Sequence, residues 1–268
     1  VTDVDTASTT LANYSTDSYG FNLGYGIPLT INDTVNLGAG FDHTSLISPG
    51  SGIGSSNTVT NFIKQYGDSF NSYMVNIGWT RNTSNRAYFP TRGDIFTIGG
   101  QASVPGSDLT WYKTNIKNSW FHPITDFFTF SAKTGVDYGN GYGSTDQLPF
   151  FQNYYGGGWG SVRGFNQGSM GPHDALYGTP KATEGNALGG NLNVYANFNM
   201  LFPIPGVKDS SNMRMGAFFD MGNVYSTYQY KETYKGDKTH RSVYEQTPRT
   251  PTFANLRYSV GIEFQWLS

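Results

Sequence analysis

The sequence predicts an all-β fold: an antiparallel transmembrane β-barrel, present as an incomplete segment of about nine strands. Three observations predict it. Apolar and polar residues alternate with period two in segment after segment. Those segments run to roughly 9–12 residues with their flanks, the length a tilted strand needs to cross a bilayer. Short turns and long loops also tend to alternate between them, as in outer-membrane barrels.

In "SYGFNLGYGIPL" the residues Tyr19, Phe21, Leu23, Tyr25 and Ile27 alternate with Gly20, Asn22, Gly24 and Gly26. That is a strand with one apolar face. The pattern recurs over 35–41, 73–79, 96–104, 112–120, 128–138, 192–200, 213–219 and 256–266. The apolar phase of these nine segments holds no Asp, Glu, Lys or Arg. The opposite phase, flanks included, holds Asp42, Lys113, Lys117, Lys133, Asp137, Arg214, Asp220, Arg257 and Glu263. Its other positions are mostly Gly, Asn, Ser and Thr, which suits a crowded wet lumen better than bulk water. Aromatic residues such as Tyr19, Trp79, Trp120 and Trp266 sit near segment ends, as in interfacial girdles. A soluble sandwich or a lipocalin-like barrel would also bury one apolar phase, so alternation alone leaves these open. Girdles, lumen chemistry and loop alternation favour the membrane barrel.

Connections follow the same logic. A turn at "TINDT" precedes a long loop over 47–70; "FHPITD" and "PIPGVKDSSN" are short, whereas 139–188 and 226–254 are long. The brief "PGSDLT" falls where a long loop is due. "NFIKQYGDSF" (61–70) has the spacing of a short amphipathic helix. Nine is an odd count, whereas bacterial single-chain barrels have even ones, and the chain opens at Val1. Residues 1–268 therefore read as one partial barrel domain cut from a longer protein.

Composition agrees. Charged residues make up 13% of the 268, about half the roughly 25% of ordinary soluble domains, and aromatics reach 16%. Mean hydropathy is −0.43, and no run approaches the ~20 apolar residues of a membrane helix. A net charge of −2 without a basic cluster gives no reason to expect nucleic acid. With no cysteine, disulfides and thiolate-bound zinc are excluded. His43, His122, His173 and His240 lack metal-ligand spacing, and no G-x-S-x-G elbow occurs. No cofactor, metal site or enzymatic centre is expected.

The loop at 139–188 carries "LPFFQNYYGGGWGSVRGF", too aromatic to stay in water. Its glycines make no phosphate cradle: no GK[ST] is present and no helix follows. A loop folded back into the barrel would bring Arg163 into the lumen, where a desolvated guanidinium needs a carboxylate. On residue identity alone, an exposed Arg163 on an external loop is equally open.

"SVRGF", preceded by "LPFFQNYYGGG", resembles the signature loop of the BamA-type outer-membrane assembly factors. That superfamily also includes two-partner secretion transporters and the autotransporter assembly factor. "RAYFPTRGD", "VPGSD", "ALGGN", "LFPIP", "FFDMGNVY" and "GIEFQW" follow in the family's order. The resemblance implies the sixth to fourteenth strands of a sixteen-stranded barrel in the bacterial outer membrane. It makes Val162, Arg163, Gly164 and Phe165 a structural loop tip, with Asp220 the lumen partner of the arginine. A second family acid falls at Asn199, a departure that leaves Asp220 as the expected charged partner and a two-acid clamp in doubt. The implied function is non-enzymatic insertion of β-barrel proteins. Its partners would be membrane lipid, unfolded barrel substrates and lipoprotein subunits engaged through periplasmic domains. A transporter of the same superfamily is the nearest alternative, and a passive porin a more distant one.

Overall fold

The computed structural model describes residues 2–5, 14–47, 57–173, 187–204, 206, 212–228 and 252–267. Its strands are β1 (Thr2–Asp5), β2 (Ser15–Pro28), β3 (Asp33–Ile47), β4 (Ser69–Asn82), β5 (Gly93–Ser103), β6 (Trp111–Pro123), β7 (Thr129–Gly141), β8 (Leu192–Phe202), β9 (Met213–Tyr225) and β10 (Arg257–Trp266). Each of the nine expected segments falls on one of β2–β10. β1 was not foreseen: "TDVD" is too short and polar to show alternation.

All ten strands form one antiparallel sheet in chain order. β2 pairs with β1 only over Ser15–Ser18, so among the described residues Tyr19–Pro28 have no strand neighbour on that side. β10 pairs with β9 alone among the described residues. Among the described residues the sheet is open, a segment of barrel wall.

The wall is inside-out relative to a soluble protein. Leu23 and Tyr25 are each 73% exposed, Val260 76% and Ile262 79%, all on the apolar phase. Asp137, Asn197, Asn199, Asp220 and Glu263, on the polar phase, are buried. A sandwich would reverse that order. The apolar face meets lipid and the polar face lines the interior.

Aromatic rings knit part of the lipid face. Trp120, Phe130, Phe198, Phe219 and Tyr258 form a row across β6–β10, with ring centres 6.0–6.3 Å apart. Such cross-strand pairs each add about 0.5–1.5 kcal/mol beyond their buried area.

The apolar core lies at the long-loop end, where helix α1 (Asn57–Tyr66) packs. Val59, Phe62, Ile63 and Tyr66 recur at helical spacing, and all four join a cluster with Phe70, Trp111 and Phe150. Phe62 meets Phe150 edge-on at 5.2 Å. The helix begins four residues before the amphipathic segment read from sequence. It ends at Gly67, whose φ of 93 suits the left-handed residue that closes a helix. The Gly67 N–H donates to the Ile63 carbonyl at 2.9 Å.

Candidate functional site: a loop anchored to the inner wall

After β7 the chain turns inward. The Thr145 hydroxyl accepts from the Thr110 N–H at 2.9 Å, and the Leu148 N–H donates to the Tyr228 hydroxyl at 2.9 Å. Burial raises that phenol to about 12, so it stays protonated and donates onward to Asn140 at 2.8 Å. A single 3₁₀ turn, Phe150–Gln152, seats Phe150 in the loop-end core. Lys113 on β6 then holds the descending strand of the loop. Its ammonium donates to the Gln152 carbonyl at 2.8 Å and stands 4.5 Å from the centre of the Tyr154 ring. Tyr154 and Gly190 exchange backbone hydrogen bonds at 2.8 and 2.9 Å, closing the neck of the loop. Beside them the Tyr155 hydroxyl lies 3.3 Å from that of Tyr14, and burial raises both phenols above the ordinary tyrosine value.

Beyond the neck, residues 156–170 form a lobe closed by the Met170 N–H on the Gly156 carbonyl at 3.0 Å. The Val162 carbonyl accepts from the Gly158 N–H at 3.0 Å, which tightens the tip. Gly158 and Gly164 take φ of 83 and 86, conformations an L side chain rarely adopts. Val162 is fully buried. It packs where Gly222 leaves the wall flat: a Cβ at Gly222 would stand 3.0 Å from its methyl. On β8, Asn197 donates to the Ser161 carbonyl at 2.5 Å.

Arg163 is the centre of the lobe. Its Nε and one terminal nitrogen donate to the two oxygens of Asp220 at 2.7 and 2.6 Å, a bidentate pair. Its backbone N–H adds a third bond to Asp220 at 3.0 Å. The other terminal nitrogen donates to Glu263 at 2.7 Å, and Asn199 accepts from the first at 2.7 Å. The guanidinium carbon lies 3.8 Å from the centre of the Phe218 ring, stacking distance for a cation–π contact. Side-chain exposure is 13% for Arg163, 0% for Asp220 and 3% for Glu263. One loop residue thus draws acceptors from three successive strands.

The second carboxylate corrects the expectation that a two-acid clamp was in doubt. Asn199 on β8 supplies an amide oxygen, and Glu263 on β10 supplies the second charge. The sequence signal was present but diffuse: Glu263 is the acid on the polar phase of its strand, yet nothing in the sequence gives the register of β10. That register sets Ser259 opposite Asp220 and Gly261 opposite Phe218. A Cβ at Gly261 would stand 2.7 Å from the Phe218 ring, so glycine there leaves room for the stack. Lys113 and Phe218 were likewise not singled out. Gly164 faces Ser259, and Phe165 is half-buried without a ring partner among the described residues. The part of the loop at 174–186 and the long loop at 229–251 lie outside the described residues, His240 among them.

No cluster of potential metal ligands occurs among the described residues. The site holds a charged loop in place, with Asp220, Asn199 and Glu263 each bonded to Arg163.

A wall whose lipid face is apolar, whose inner face is polar, and whose long loop is clamped inside defines a transmembrane β-barrel with an internal loop anchor. Residues 2–268 match the Omp85 superfamily domain, and the chain belongs to that family. It is similar to the outer membrane protein assembly factor BamA of Neisseria meningitidis serogroup B (strain MC58), 33% identical over 285 residues, 98% of this chain and 34% of that protein. BamA of Nitratidesulfovibrio vulgaris is 24% identical over 260 residues, 96% of this chain and 28% of that one. The crystal structure of BamA from Haemophilus ducreyi lacking POTRA domains 1–3 superposes with a TM-score of 0.84 at 28% identity, covering 99% of this chain and 51% of that chain. The chain spans about a third of the length of these curated relatives.

Proposed function

We propose that residues 1–268 are part of the barrel domain of an outer-membrane assembly factor, which folds and inserts β-barrel proteins into the bacterial outer membrane. The observation that carries this reading is the Arg163 anchor on an Omp85 wall. A loop clamped by two carboxylates keeps the lumen occupied and the wall in fixed register, which an open pore does not need. The segment 139–188 acts as the lumen-inserting loop, with Val162 to Phe165 as its tip. The work is mechanical and interfacial: partners are lipid, unfolded barrel chains and, through domains outside this chain, lipoprotein subunits. No covalent chemistry is assigned to it.

The test reconstitutes the complete protein in lipid vesicles and follows unfolded barrel substrates into their heat-modifiable folded form. Arg163→Ala should slow conversion about tenfold or more across unrelated substrates. Export of a single dedicated partner, with no gain in folding of other barrels, would assign the protein to the transporter branch instead. A steady ionic conductance with no substrate folding would favour a porin.

A further inference from the structure

Arg214 lies on the inward row of β9 with Phe218 and Asp220, near the short-turn end of the wall. Its Nε donates to the Gln265 side-chain oxygen at 2.5 Å. A terminal nitrogen reaches the Pro90 carbonyl at 3.4 Å, and the guanidinium carbon stands 4.6 Å from the centre of the Phe89 ring. Gln265 in turn donates to Glu263 Oε1 at 3.0 Å. The other oxygen of Glu263 accepts from Arg163 at 2.7 Å. A continuous chain of polar contacts therefore runs from Pro90 through Arg214, Gln265 and Glu263 to the loop arginine.

Phe89 and Pro90 belong to the connection between β4 and β5, on the side opposite α1. That turn is internally braced. Asn85 accepts from the backbone N–H groups of Thr91 and Arg92, both at 3.1 Å, and Thr83 donates to Asp94 at 2.6 Å. Phe89 has a φ of 50, the one described non-glycine residue in the left-handed region. For a bulky side chain this is an outlier, kept only where surrounding contacts over-determine it. Here Pro90 is buried and the Phe89 ring is seated against Arg214, while the preceding Tyr88 is 67% exposed.

We infer that Arg214 and Gln265 are positioning residues that couple the turn at 83–92 to the Arg163 loop, so that displacing the turn loosens the anchor. The coupling is a property of the wall and holds whichever substrate the protein handles. Contiguity of contacts is a route, and coupling is established only by perturbation at one end read at the other.

The experiment uses the complete protein in lipid nanodiscs, with hydrogen exchange followed by mass spectrometry over 158–168. Phe89→Ala removes the ring that seats Arg214 at the turn, and should speed exchange in 158–168 at least about fivefold while β2 and β3 stay protected. Gln265→Leu, which breaks the chain at its middle without touching the turn, should do the same. In an Arg163→Ala background Phe89→Ala should add nothing further, because the last link is already gone. Exchange that changes only within 83–92 for Phe89→Ala would overturn the coupling. So would an unchanged loop in Gln265→Leu, or equal acceleration in every strand, which marks general destabilisation.

Discussion

At Arg163 a planar fork of donors meets acceptors on three strands, and the partners are not equivalent. Asp220 takes two guanidinium bonds and one backbone bond, so its loss leaves the most donors unmet. Asp220→Ala should cost roughly 3–5 kcal/mol where the site is dry and less where water enters. Asn199→Ala should cost far less, having removed one neutral acceptor. The double variant Arg163→Ala with Asp220→Ala should be little worse than either single one, and strictly additive losses in a denaturant titration would sink the pairing. Because Glu263 and Asn199 bond adjacent nitrogens of one guanidinium, Asn199→Glu should restore stability lost in Glu263→Gln. A restored midpoint in the double variant is the expected result; a further fall would show that the two positions are not interchangeable. The Asp220 partner was legible through the resemblance of the loop to its family, which implied an acid on the polar phase of "MRMGAFFDMG"; the inward phase alone offers Asp42, Asp137 and Glu263 as well. Glu263 was not, because its place depends on the pairing register of a strand 100 residues away from the arginine.

Among the elements, the strands were the most legible, since lipid on one face and water on the other enforce period two. Where that pressure lapses, so does the signal. Beyond Phe41 the outward phase of β3 continues as His43 and Ser45, and the strand runs on to Ile47 past the expected end. His43 instead bonds Asn71 at 2.9 Å and stacks on Tyr19. Arginine at Leu23, Ile77 or Val260 should destabilise the wall by about 2–4 kcal/mol near the bilayer centre, and arginine at Asn22 or Asn76 much less. Unfolding titrations in lipid vesicles read the difference, and equal costs on both faces would contradict the orientation. Ser259 is not a comparable control: it lies under Gly164, so a large side chain there would lift the loop. For α1, Phe62→Ala should loosen the helix by about 2 kcal/mol, as a partly buried ring is lost. Faster proteolysis within 57–67, with the strands intact, is the expected signature.

Taken whole, the molecule is an open sheet in which, among the described residues, Tyr19–Pro28 pair only with β3 and β10 pairs only with β9. An edge of this kind is a template for another strand. Cysteines at Tyr25 and Ile262 should therefore not join within one chain. An intramolecular disulfide between them would mean that β2 meets β10 and the ten strands close into a small barrel.

The three-strand reach of Arg163 also has a consequence in time. Its acceptors lie 36, 57 and 100 residues further along the chain. The loop can settle only after β8, β9 and β10 have paired, and only in the correct register, since a slip of one residue would turn Asp220 and Glu263 toward lipid. Formation of the anchor is thus expected late on the folding route, closing only on correctly aligned strands. Contacts absent from the transition state change the unfolding rate more than the folding rate. Arg163→Ala should leave the main folding phase nearly unchanged and speed unfolding, most visibly by allowing misaligned sheets to persist alongside the native one.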